Sequence, residues 1–66
     1  MLKLEVERED DGRWVGEVPA LAGVLAYGAT EAEARANATA LALRVIADRI
    51  ESGEAAPEEA RNLFAA

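Results

Sequence analysis

The chain has 66 residues, with no cysteine or histidine, and 13 acidic against 7 basic side chains give it a net charge of −6. These figures exclude disulfides, thiol chemistry and nearly all zinc sites, and the shortage of Lys and Arg argues against direct binding of DNA or RNA. Hydrophobic residues make up 52% of the sequence, which predicts one folded domain over residues 1–66. No apolar run reaches the roughly 18 residues of a membrane helix, and the charged start is unlike a signal peptide. A cytoplasmic protein without a membrane partner is expected. A domain of this size buries only about 60% of its unfolded surface. Reinforcement is therefore expected from a homo-oligomer, dimer or tetramer, or from docking on a partner.

Leu2, Leu4 and Val6 alternate with Lys3, Glu5 and Glu7, the period of a half-buried strand. Trp14, Gly16 and Val18 alternate in the same way with Arg13, Val15 and Glu17. A two-residue Asp11-Gly12 loop would set Val6 opposite Glu17 and mix apolar with charged faces, whereas opposed residues must share a face. A three-residue loop, Asp10-Asp11-Gly12, instead sets Leu4 opposite Val18, Val6 opposite Gly16 and Arg8 opposite Trp14. That loop predicts Gly12 at positive φ before the second strand. It also places Glu5 opposite Glu17, a like-charge pair.

Pro19 ends the second strand. After a short loop closed by Gly23, Val24 to Gly28 form a third strand. Thr30 with Glu33 reads as a capping box, opening an alanine-rich helix from Glu31 to about Ser52, with Gly53 beyond its end. Pro57 to Phe64 is expected to form a short second helix. The predicted class is α+β: a three-stranded antiparallel meander, a long helix across one face and a short C-terminal helix (β-β-β-α-α).

The long helix carries two apolar stripes. Leu41 and Val45 align with Ala34 and Ala38; Leu43, Ile46 and Ile50 lie roughly 120–160° around. One small sheet covers the first stripe. The second is left either for Leu63 and Phe64 folding back or for another subunit, with the subunit favoured. Tyr27, Leu43, Ile46, Ile50 and Phe64 are accordingly the expected interface residues.

Catalytic constellations are missing. Glu9, Asp10 and Asp11 cluster on an exposed turn without the burial that tunes a catalytic carboxylate. Ser52 has no base beside it. Gly16, Gly23 and Gly28 are too scattered for a phosphate cradle. No cofactor, metal or catalytic residue is expected, and the protein reads as a non-enzyme. Trp14 is expected in the core from its phase, whereas the face of Tyr27 depends on a pairing that the pattern leaves open.

One longer pattern remains. Asp11-Gly12-x-Trp14-Val15-x-Glu17-Val18-Pro19, Leu21-x-Gly23, Ala26-x-Gly28-x-Thr30-x-x-Glu33-Ala34 and Asn37, with the helix Ala40-Leu41 to Ile50 and the Gly53-Glu54-x-x-Pro57 return, resembles the HicB-like antitoxin family. The resemblance implies a truncated RNase H-like fold without the nuclease carboxylates. It also implies a partner, a small basic HicA-type toxin that cleaves mRNA and is neutralised by being covered. The loop Pro19-Ala20-Leu21-Ala22-Gly23 departs from the family, which often has an acidic residue and a second proline there. The chain ends at Ala66, leaving room for one short helix, so promoter binding through a C-terminal domain is not expected. The alternative reading is a toxin-independent structural or regulatory homo-oligomer of the same fold.

Overall fold

A computed structural model of the protein describes residues 2–54. Three strands, β1 (Glu5–Arg8), β2 (Trp14–Glu17) and β3 (Leu25–Gly28), precede one helix, α1 (Glu31–Glu51). The sheet is an antiparallel meander of order β1-β2-β3, with α1 packed across one face, as the patterning predicts. The expected second helix, Pro57 to Phe64, lies outside the described residues.

The first hairpin has the register that face consistency requires. Glu5 opposes Glu17, Val6 opposes Gly16 and Arg8 opposes Trp14. Glu9 N–H donates to Arg13 C=O at 2.7 Å, Gly12 N–H donates to Glu9 C=O at 3.0 Å, and Gly12 has φ 91°. This is the bulged three-residue loop, in which the last loop residue must be left-handed. The ladder is shorter than the alternation suggests, because Leu2 and Leu4 lie before β1. Both nevertheless pack against the core. Lys3 Nζ lies 3.6 Å from Glu5 Oε1 and relieves the Glu5/Glu17 repulsion.

The core is Val18, Leu21, Val24, Ala42 and Ile46, flanked by Leu2, Leu4, Leu41 and Val45. Leu21 comes from the β2–β3 loop, which folds inward as two successive turns. Leu21 N–H donates to Val18 C=O at 2.9 Å, and Val24 N–H donates to Leu21 C=O at 3.1 Å. The loop thus delivers a side chain only 1% exposed.

Thr30 caps α1, its Oγ1 accepting from Glu33 N–H at 3.1 Å. The return arm of the box reaches one residue further than expected, since Glu33 Oε1 accepts from Ala29 N–H at 3.5 Å. At the other end Gly53 N–H donates to Ile50 C=O (3.2 Å) and Glu54 N–H to Arg49 C=O (2.8 Å). This pair of bonds defines a Schellman motif.

Ala34, Ala38, Ala42 and Ile46 are the buried row of α1. Steps of four residues turn about 40° each at the helical repeat of 3.6 residues, so the buried row winds around the helix. At its first end the packing is backbone-close. A Cβ on Gly16 would lie 2.8 Å from Ala34 O and 2.9 Å from Ala38 Cβ, and a Cβ on Gly28 would overlap the backbone at Glu33 and Ala34. Towards Ile46 the space is filled by Val18, Leu21 and Val24. Ile46, expected at a partner interface, is 5% exposed and belongs to the core. That expectation is corrected by the winding of the buried row.

Candidate interaction surface

The register puts two rows of side chains on the sheet face away from α1. Glu5, Glu17 and Leu25 form one row; Glu7, Val15 and Tyr27 form the other. Leu25 and Tyr27 are 42% and 43% exposed. The face combines an apolar patch on β2 and β3 with acidic side chains on β1 and at Glu17. Arg13 completes it: its guanidinium carbon lies 4.5 Å from the centroid of the Tyr27 ring, a cation–π contact.

Arg13 is also held at the hairpin. Its N–H donates to Asp11 Oδ1 at 3.0 Å and its Nε to Oδ2 at 2.7 Å. The backbone bond first, then the side-chain bond, hold the Asp11 carboxyl below its ordinary value. Asp10 and Asp11 are exposed, and the acidic turn serves here as an anchor for Arg13.

The strand edges follow from the hydrogen bonds. In an antiparallel pair, bonded and non-bonded residue pairs alternate. Val18 N–H donates to Val24 C=O at 3.1 Å, so Gly16/Ala26 and Trp14/Gly28 are the bonded pairs of β2 and β3. Leu25 and Tyr27 therefore direct their N–H and C=O groups away from β2, to the outer edge. The Tyr27 carbonyl accepts from Asn37 Nδ2 of α1 at 2.9 Å. By the same rule the Glu9/Arg13 bond sends the backbone groups of Val6 and Arg8 to the outer edge of β1.

A second apolar surface lies on the β1 side of α1. A cleft of about 130 Å³ is lined by Leu2, Leu4, Val18, Thr39, Ala42, Leu43 and Ile46. The Thr39 hydroxyl is turned to its own helix, donating to Arg35 C=O at 2.7 Å, so the cleft has no converging polar groups with which to fix a ligand. Leu43 and Ile50 are 54% and 59% exposed.

Of the expected interface residues, Tyr27, Leu43 and Ile50 are exposed, Ile46 is in the core, and Phe64 lies outside the described residues. Trp14 shares the helix-side face with Gly16 and is half-buried. Leu25 was not among the expected interface residues; its shared phase with Tyr27 was the available signal. Among the described residues no cluster of three or more acidic side chains is placed to hold a metal ion, and no helix is long and apolar enough to cross a membrane.

No family model matches this chain, and comparisons with curated proteins and with solved structures find no match. The functional reading therefore rests on the residues themselves.

Proposed function

We propose that this protein is a cytoplasmic, non-catalytic binding module that neutralises a small basic ribonuclease toxin of the HicA type by covering it. The observation that carries the reading is the outer sheet face, where Val15, Leu25 and Tyr27 lie beside Glu5, Glu7 and Glu17. An apolar centre with a charged rim is the anatomy of a protein-binding surface. Acidic charge there complements a cationic partner, and the net charge of −6 speeds encounter with one. The HicB-like pattern from Asp11 to Pro57 supports the class of partner. Co-expression with the product of the adjacent reading frame tests it. A complex that weakens with salt and relieves growth arrest is expected; no complex and no relief overturn the proposal.

A second reading, a toxin-independent homo-oligomeric module, is favoured by a different observation. Leu43 and Ile50 are large apolar side chains of α1 that are left exposed. Sedimentation separates the two readings, since a monomer that binds the toxin would leave only the first.

A further inference from the structure

The outer edge of β3 is complementary to itself. In a chain where 30% of residues are charged, none lies between Glu17 and Glu31, and this stretch contains the whole of β3. Among the described residues nothing pairs with the outward backbone groups of Leu25 and Tyr27 except Asn37, which takes one position on the Tyr27 carbonyl. A carbonyl oxygen has two lone pairs, so that group can still accept from another strand. Two N–H and two C=O groups, at alternate residues of a short strand, are what an antiparallel copy of the same strand requires.

We propose that β3 pairs antiparallel with β3 of a second copy, with Ala26 on the two-fold axis. Leu25 then exchanges both backbone bonds with Tyr27 of the second copy, and Tyr27 does so with its Leu25. The same register sets each Leu25 side chain against a Tyr27 ring, so the exposed apolar side chains of the outer face meet along the seam. An interface of this kind is isologous and closes as a dimer. Both helices lie on one side of the joined sheet, and the acidic residues of β1 lie at its two far edges. Because each copy carries −6 while the seam carries no charge, added salt screens the repulsion between copies and strengthens the dimer. This is the opposite of its effect on binding to a basic partner, so the outcome is independent of the toxin reading.

The experiment uses the full chain in sedimentation equilibrium at several salt concentrations. A mass of two chains is expected, with dissociation to one chain in the Leu25→Lys/Tyr27→Lys variant. Both side chains are exposed, so the variant should keep its helical circular dichroism. Glu7→Lys on β1 and Leu43→Lys on α1 should stay dimeric. The chain has no cysteine, so Ala26→Cys supplies a single thiol. A non-bonded antiparallel pair has Cα atoms about 4.5 Å apart, within disulfide reach, and mild oxidation should link two copies. A monomeric parent, a Leu25→Lys/Tyr27→Lys variant that remains dimeric, dissociation by Glu7→Lys or Leu43→Lys, or failure of Ala26→Cys to link would each overturn the proposal.

Discussion

The two edges of this small sheet are built on opposite plans. β1 reads Glu5-Val6-Glu7-Arg8, with Lys3 and Glu9 around it, whereas β3 reads Leu25-Ala26-Tyr27-Gly28 without a charge. Charged side chains on an edge strand deter pairing with other chains. The backbone phase differs too. The outward groups of β1 belong to Val6 and Arg8, whose side chains are on the helix side; those of β3 belong to Leu25 and Tyr27, whose side chains are on the open face. β3 is also fastened to α1, by Gly28 against Ala34 and by Asn37 on the Tyr27 carbonyl. One edge is guarded and lightly held. The other is firmly held and unguarded, which is how an edge meant for pairing is best presented.

The most damaging way to break this contrast is to push β3, or β2 beside it, off the helix. Gly28→Ala places a methyl group into the backbone at Glu33 and Ala34, and Gly16→Val places three carbons against Ala34 O and Ala38 Cβ. Neither neighbour is a flexible side chain that could move aside. Overpacking of this kind costs about 1–3 kcal/mol or more, and each kcal/mol lowers Tm by roughly 4–8 °C in a domain of this size. Glu7→Ala, on the open face of β1, should stay within about 0.5 kcal/mol. Thermal denaturation of the three variants measures the difference, and equal losses would mean that β3 is not specially clamped.

A gentler perturbation acts just beyond β3. Thr30→Ala removes the acceptor for Glu33 N–H and should cost about 1 kcal/mol, read as a matching fall in Tm. Thr30→Ser keeps the oxygen and should restore most of the loss. The cap was legible in the sequence, as was the first hairpin: in both, residues a few positions apart decide the geometry. The β2–β3 connection was legible only as a short loop closed by Gly23, which has φ 82°. Its turns are set by Leu21 reaching the core, and that tertiary contact leaves no local dipeptide signal. The face of Tyr27 therefore stayed open until the register was known. Ile46 was misplaced for a related reason. Ala34 and Ala38 were legible as part of the covered stripe, but alanine carries little hydrophobic signal, so the continuation of the buried row through Ala42 to Ile46 was hidden beside the bulkier Leu41 and Val45.

Asn37→Ala sharpens the comparison at the open edge itself. The variant loses one hydrogen bond to the Tyr27 carbonyl, a net of about 0.5–1.5 kcal/mol. The exposed site leaves water free to replace the donor, so the loss should fall at the low end. The freed carbonyl becomes more available to a pairing strand. The expected result is a slightly less stable fold with dimerisation unchanged or strengthened, read by denaturation and sedimentation on the same samples. A weaker dimer would show that Asn37 holds β3 in shape for pairing.

The smallest effect is expected at the hairpin that tethers β1. The Asp11 carboxyl is held below its ordinary value by Arg13, first through the backbone N–H and then through the side chain. A depressed carboxyl contributes stability that is fully present above the unfolded value of about 3.9 and is lost as pH falls through the lower folded value. The hairpin should therefore be indifferent to pH near neutrality and loosen only in acid. The group is fully exposed, so screening keeps the contribution small. NMR titration of the Asp11 carboxyl should give a midpoint below the ordinary aspartate range. Arg13→Ala should return it only part of the way, because the larger cause, the backbone N–H, remains. The same substitution removes the guanidinium from the Tyr27 ring, which makes it a test of whether the two edges are coupled. If Arg13 steadies Tyr27, its loss weakens the β3 dimer without changing β1; an unchanged dimer would show that the edges act separately.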